Sequence, residues 1–90
     1  MRFAWDQKKA SNNLAKHGVS FEEAAPVFGD PLSNTFPDQD HSMAEQRFII
    51  IGLSEQGRIV VAAHTDDGER VRIISAREAT RGERRSYEEG

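Results

Sequence analysis

Residues 46–74 read QRFIIIGLSEQGRIVVAAHTDDGERVRII, and this stretch decides the fold. Runs of Ile, Val and Phe, which are enriched in strands, alternate in it with short polar breaks. The breaks contain Gln56-Gly57 and Asp67-Gly68, and both are signals for hairpin turns. The stretch therefore predicts an antiparallel meander. Its predicted strands are Gln46–Ser54, Arg58–Thr65 and Glu69–Ile74.

Two helices are predicted on the N-terminal side of the meander. Asp6 is a suitable N-cap, and Gly18 a suitable C-terminal residue, for a helix over Gln7–His17. Ser20-Phe21-Glu22-Glu23 is a capping box and begins a second helix. Pro26 should keep that helix short or kinked, because an interior proline removes a backbone hydrogen bond.

Short strands and a last helix complete the prediction. The strands are Arg2–Trp5 and Leu32–Phe36, the second at a sheet edge because Pro37 cannot donate to a ladder. The helix is predicted from about Ala76 to Glu88, begun by a capping box at Ser75-Ala76-Arg77-Glu78. Few of its residues are apolar, so it is marginal on its own.

Composition limits the class of protein. The 90 residues, 37% of them hydrophobic, suffice for one α+β domain, 1–90, in the order β-α-α-β-β-β-β-α. No cysteine is present, which excludes disulfides and thiolate catalysis. The longest apolar run, Phe48–Leu53, is too short to span a membrane, and Met1–Asp6 lacks the apolar core of a signal peptide. We therefore expect a cytoplasmic protein with no membrane contact.

Positive charge is concentrated near the C-terminus. The net charge of −3 argues against broad nonspecific binding of nucleic acid. From residue 70 to residue 85, however, six arginines stand against two glutamates. Arg77, Arg81, Arg84 and Arg85 share one stripe of the predicted last helix. Because arginine donates paired hydrogen bonds to phosphate, the stripe indicates either an anionic partner or a surface of Glu–Arg pairs.

Two residues of the meander are candidates for chemistry. Arg72 lies between Val71 and Ile73, so its guanidinium must reach water, a carboxylate or a substrate phosphate. It is the strongest single candidate. If Asp67-Gly68 is a two-residue turn, Arg72 lies opposite Ala63. His64 is suited either to general-base catalysis near neutral pH or to a satisfied position at the edge of the core.

Other candidates are weaker. His17 closes the first predicted helix, where the helix dipole favours its protonated form. Asp38-Gln39-Asp40-His41 combines ligands for a hard cation, although acidic loops are common. The sequence has no Walker loop, Rossmann glycine pattern, H-E-x-x-H motif or serine-centred elbow.

Six segments spread over nearly the whole chain match one known family: Phe3–Asp6, Asn13–Ala24, Asp30–Leu32, Glu45–Phe48, Arg72–Arg77 and Arg84–Glu89. Through these segments the sequence resembles the BrnT family of bacterial type II toxin–antitoxin toxins. The resemblance implies a RelE-like fold and an endoribonuclease that halts translation without a metal cofactor. It also implies a BrnA antitoxin with a ribbon-helix-helix type DNA-binding domain. Such complexes are typically heterotetramers that contact operator DNA through the antitoxin.

The implied reaction is attack of a ribose 2′-hydroxyl on the adjacent phosphate, which needs a base, an acid and cations. We expect Arg72 and Arg77 to hold the phosphate charge and His64 to be the base or the acid. The expected secondary RNA contacts are the cations Lys16, His17 and Arg47, together with Arg81 and Tyr87. Two alternatives remain: a non-catalytic module that binds an acidic partner, and a metal-dependent hydrolase built on Asp38, Asp40 and His41.

Overall fold

The computed structural model describes residues 1–41 and 45–90, and of His41 the backbone alone. Three α-helices and a five-stranded mixed sheet make up this described part. The strands are β1 (Arg2–Ala4), β2 (Asn34–Pro37), β3 (Phe48–Leu53), β4 (Ile59–Asp66) and β5 (Arg70–Glu78). The α-helices are α1 (Gln7–His17), α2 (Phe21–Ala24) and α3 (Arg81–Glu89), and the 3-10 helices are Ala25–Gly29 and Gln39–His41.

The strand order is β1-β5-β4-β3-β2. The antiparallel pairs β3–β4 and β4–β5 confirm the predicted meander, and β2 is an edge strand as expected. At the other edge β1 runs parallel to β5. The α+β class is therefore confirmed, and the arrangement is compatible with the RelE-like fold that the resemblance implies.

The two faces of the sheet are covered unequally. The face covered by α1, α2 and Ala25–Gly29, here called the packed face, carries the main core, whose largest fully buried side chains include Phe21, Val60 and Ile73. The opposite face is here called the open face. Among the described elements α3 covers only one end of it, where Tyr87 packs near Val61. Judged on the described residues, the rest of the open face is half-buried at Ala63 and Thr65 and exposed at Arg72.

The predicted start of the last helix is wrong. Residues 75–78 continue β5, where Ser75 pairs with Ala63 and Ala76 with Ala62. The helix begins at Arg81 instead, after a capping box in which Thr80 and Glu83 bond each other's backbone N–H. The pairing of β5 with β4 overrides the helix-capping pattern at Ser75, because it buries Ala76 fully in the sheet.

The predicted register of the last hairpin is also wrong. The connection is longer than two residues, since Asp66 pairs with Val71. Its Asp67 carboxylate accepts hydrogen bonds from the backbone N–H groups of residues 69 and 70 at 3.0 and 2.8 Å. Arg72 therefore lies opposite Thr65 rather than Ala63, and His64 lies opposite Ile73.

Pro26 has the expected effect. The α-helix that Ser20 caps ends at Ala24, and Pro26 lies in the 3-10 helix that follows. Because this 3-10 segment carries Val27 and Phe28 to the packed face, it helps to bury that side of the sheet.

Candidate functional site

The uncovered end of the open face carries Arg72. Its neighbours on the adjacent strands are small, Ala4 on β1 and Thr65 on β4, so half of its side chain stays exposed. A cleft of about 480 Å³ lies here. The residues that line the cleft are Ala4, Glu45, Gln46, Thr65, Asp66, Asp67, Arg70 and Arg72.

Among the described residues, Arg72 makes one ion pair within the cleft. Its Nη2 donates to Oε1 of Glu45, and both side chains are about half exposed, at 49% and 52%. Exposed pairs of this kind contribute roughly 0–1 kcal/mol to stability. The contact can therefore open, or rearrange to admit a phosphate, at little cost to the fold.

Two further arginines lie beside Arg72. Arg70 is two residues from Arg72 on β5 and therefore on the same face, and Arg2 is its partner on β1. Both are exposed. This end of the sheet thus presents three guanidinium groups, opposed by the carboxylates of Glu45, Asp66 and Asp67 at the rim.

Arg77 lies on β5, not on the last helix, so the predicted stripe of four helical arginines is wrong. It forms two hydrogen bonds with Glu83, of 2.7 and 2.9 Å. Chiefly because of this bond, the pKa of Glu83 is lowered to about 2 and that of Arg77 is raised. Arg77 and Arg72 share the open face, but they stand roughly 13 Å apart along the strand.

His64 points to the packed face. It is 3% exposed, with its ring edge-on to Phe28 at 4.7 Å and stacked on Phe48 at 5.9 Å. Burial lowers the pKa of His64, although a contact with the carbonyl of Ala62 and the charge of Asp66 oppose the shift. Neighbours on a strand alternate in direction, and Thr65 is the residue that pairs with Arg72. The structure therefore does not bring His64 and Arg72 together.

Lys16 and His17 are exposed in the last turn of α1, on the packed-face side of the sheet. Arg47 is half-buried immediately before β3, and Arg81 is exposed in the first turn of α3. Lys16, His17 and Arg81 therefore do not converge on Arg72. Arg47 lies closer, because it precedes Phe48, the partner of His64, and so comes to the level of Thr65 beside Arg72. Of the predicted RNA contacts, only Arg47, Arg81 and Tyr87 lie near the open face.

Tyr87 has a structural partner. Its hydroxyl donates to Oδ2 of Asp30 at 2.5 Å, and its ring packs over the small core beneath α3. The hydrogen bond raises the pKa of Tyr87 to about 12. Burial raises the pKa of Asp30, but bonds from Tyr87 and from the backbone of Leu53 and Leu32 lower it overall. Tyr87 therefore fastens α3 to the rest of the fold.

Sequence reasoning gave no role to Glu45. It lies in the segment Glu45–Phe48 that matches the BrnT family, but its partner Arg72 is 27 residues away. No local pattern links two such positions. Asp30 was missed for the same reason, since 57 residues separate it from Tyr87.

The metal hypothesis rested partly on His41, whose side chain lies outside the described residues. In the described ranges, no group of three His, Cys, Asp or Glu residues is arranged to hold a metal ion. The same ranges contain no helix with the length and apolar character needed to cross a membrane.

Comparison with known proteins agrees with the fold. A family model described as "Ribonuclease toxin, BrnT, of type II toxin-antitoxin system" matches residues 5–83. The crystal structure of the ribonuclease toxin BrnT of Brucella abortus superposes with a TM-score of 0.72 at 29% identity, covering 90% of this chain and 99% of that one. Comparison with curated proteins gives no match. The family match spans most of the chain, and the chain therefore belongs to the BrnT family of ribonuclease toxins of type II toxin–antitoxin systems.

Proposed function

We propose that this chain is a metal-independent endoribonuclease that arrests translation, and that Arg72 is its principal contact with the scissile phosphate. The observation that carries the proposal is the position of Arg72, half exposed in a cleft between small neighbours. A single exposed carboxylate contacts it in the described part of the chain. A strand residue held in this way has no evident role in the core.

The proposed reaction is attack of a ribose 2′-hydroxyl on the adjacent phosphate. Negative charge grows on the non-bridging phosphate oxygens in the transition state, and preorganised donors stabilise it. Arg72 supplies such donors in a fixed planar fork, and Arg70 and Arg2 add positive charge nearby. We assign charge stabilisation to these guanidinium groups, which is why no metal is included in the proposed mechanism.

The other predicted contacts take lesser roles in the proposal. Arg77 is bonded twice to Glu83, so its first role is to hold α3. Arg47 and Arg81 flank the open face, where they are suited to bind neighbouring phosphates. Lys16 and His17 lie on the other side of the sheet, and RNA reaches them only by passing around an edge.

Membership of a type II toxin–antitoxin family implies an antitoxin partner. We propose a BrnA-type antitoxin with a ribbon-helix-helix type domain, in a heterotetramer that contacts operator DNA only through the antitoxin. Co-purification of the chain with the product of the neighbouring gene tests the partner, and light scattering on the complex tests the stoichiometry.

The test of the activity is cleavage of cellular RNA by purified chain in EDTA, beside Arg72→Met and a matched control, Arg85→Met. Arg85 is exposed on α3, away from the cleft. Loss of one preorganised donor typically costs about 10²–10³-fold in rate, so we expect that loss for Arg72→Met and none for the control. Full activity of Arg72→Met, or loss of wild-type cleavage in EDTA, contradicts the proposal. A complex that forms without any RNA cleavage supports the alternative of a non-catalytic binding module.

A further inference from the structure

The proposed attack of a 2′-hydroxyl in the open-face cleft requires a proton acceptor close to Arg72. His64 points to the packed face, so it is not in a position to take a proton from a 2′-hydroxyl held there. Among the described residues, the titratable groups that could accept a proton in this cleft are the carboxylates of Glu45, Asp66 and Asp67. Within the described part of the chain, the choice of base is therefore a choice among these three carboxylates.

Two of these carboxylates are occupied by the turn between β4 and β5. Asp67 accepts backbone N–H groups from residues 69 and 70, and these bonds lower its pKa, which makes it a weak proton acceptor. Asp66 accepts the backbone N–H of Gly68 at 2.9 Å. Both carboxylates shape the turn, and Glu45 has no such backbone bond in the described part of the chain.

We propose that Glu45 is the general base of the cleavage reaction, an inference that rests on the proposed function. Its Oε1 contacts the Nη2 of Arg72, which leaves other N–H donors of the guanidinium for the phosphate. The 2′-oxygen of a ribose is joined through two carbons to the 3′-oxygen that carries the phosphate. A phosphate bound on Arg72 therefore brings the attacking hydroxyl within reach of the adjacent carboxylate.

In this step Glu45 takes the proton of the 2′-hydroxyl while the 2′-oxygen forms a bond to phosphorus. The bond from phosphorus to the 5′-oxygen breaks, and its electron pair leaves with that oxygen, which takes a proton from water. The products are a 2′,3′-cyclic phosphate end and a 5′-hydroxyl end, and the proton on Glu45 returns to solvent.

The contact with Arg72 also explains how a carboxylate can work beside a phosphate. Two anions repel each other at short range, and a guanidinium between them offsets that repulsion. The cleft also places Arg70 beside Arg72, on the same face of β5. The pair contributes little to stability because both side chains are half exposed, so a structural role does not account for it.

The experiment compares Glu45→Gln, Glu45→Asp and a control, Glu69→Gln, on a short RNA that carries a site mapped with wild-type protein. Glu69 is an exposed acid in the neighbouring turn. General-base catalysis typically contributes about 10²–10⁴-fold, so we expect Glu45→Gln to lose that factor in cleavage rate. RNA affinity should stay within about threefold of wild type, since the phosphate cations remain. Glu45→Asp should keep part of the activity, and the control all of it.

A second substrate separates the base from the acid. An RNA with sulfur in place of the 5′-oxygen at the cleavage site has a leaving group that needs no protonation. Loss of a base persists on this substrate, whereas loss of an acid is repaired. Cleavage of it by Glu45→Gln at the wild-type rate overturns our assignment of Glu45 as the base.

Each remaining outcome of the experiment overturns either this inference or the proposed function as well. If wild-type protein cleaves RNA and Glu45→Gln cleaves it equally well, this inference fails and the proposed function stands. If Glu45→Gln loses affinity as much as rate, Glu45 only positions Arg72, and the inference again fails. If wild-type protein cleaves no RNA, the proposed function fails and the inference fails with it. Circular dichroism of each variant checks that the fold is unchanged.

Discussion

Two arginine–glutamate pairs in this molecule have the same chemistry but differ in burial. In the first, Arg58 binds Glu23 through Nε at 3.0 Å and through Nη2 at 2.5 Å. Ser54 donates to the same carboxylate at 2.7 Å, and the Glu23 side chain is 3% exposed. In the second pair, Arg72 contacts Glu45 through Nη2, and both side chains are half exposed.

The setting determines what each pair can do. A buried carboxylate must have its oxygens satisfied, because an unpaired buried charge costs several kcal/mol. The Glu23 oxygens are satisfied, and the hydrogen bonds from Arg58 and Ser54 outweigh burial and lower the pKa of Glu23. Arg58 also donates to the carbonyl of Gly18, which ties the β3–β4 hairpin to the end of α1. The exposed pair is not required by the core, which is why we propose it for binding and catalysis.

The largest expected difference between the two pairs is in stability. Arg58→Met leaves the Glu23 carboxylate buried without its cation, and we expect it to lower the free energy of unfolding by about 3 kcal/mol. Arg72→Met should change it by less than about 0.5 kcal/mol. Urea unfolding of both variants beside wild type measures the difference. Equal destabilisation by the two substitutions would show that the Arg72 pair also supports the fold.

A smaller effect is expected where burial is intermediate, at Tyr87. Tyr87→Phe removes the hydrogen bond to Asp30 but keeps the ring over the core beneath α3. We expect a loss of about 1 kcal/mol and faster hydrogen exchange confined to α3. Cleavage should be nearly unchanged. If the Tyr87→Phe protein folds but no longer cleaves RNA, the result supports the predicted contact between Tyr87 and RNA.

The fold could be predicted from the sequence only in part. The meander was predictable because residues 46–74 carry long runs of β-branched side chains. The start of α3 was not, since Ser75–Glu78 and Thr80–Glu83 both match the capping pattern. Pairing of Ser75 and Ala76 with β4 decides between them, and it is a long-range contact.

The candidate site was likewise predictable from the sequence only in part. Arg72 was identifiable because a charged residue between Val71 and Ile73 needs an explanation. The expected register was wrong by two residues, because the turn after Asp66 is longer than expected. A shift of two residues keeps every side chain on its face, so the alternation of residues along β4 already put His64 on the opposite face from Arg72. Glu45 became a candidate only when the fold placed it against Arg72.

A third arginine–glutamate pair, Arg77 with Glu83, allows a test by pH. The folded-state pKa of Glu83 is about 2, below its ordinary value of 4.5, so the pair's contribution is complete above pH 4.5 and is lost as pH falls toward 2. Glu83→Gln keeps a capping side chain and should cost about 0.5 kcal/mol at neutral pH. Unfolding of both proteins across this range should show the difference shrinking. A constant difference would mean that the ion pair is not its source.

The smallest effect on activity is expected at His64. His64→Leu removes an imidazole that lies between Phe28 and Phe48 on the packed face, so RNA cleavage should stay within about twofold of wild type if the base is on the open face. Stability should change with pH instead. Because burial lowers the folded-state pKa of His64 below 6.5, the unfolded chain takes up a proton first, and wild type loses stability relative to His64→Leu as pH falls below 6.5. Cleavage assays and urea unfolding at several pH values measure both. A folded His64→Leu protein without ribonuclease activity would return the proton-transfer role to His64, and the base would then have to act from the other side of the sheet.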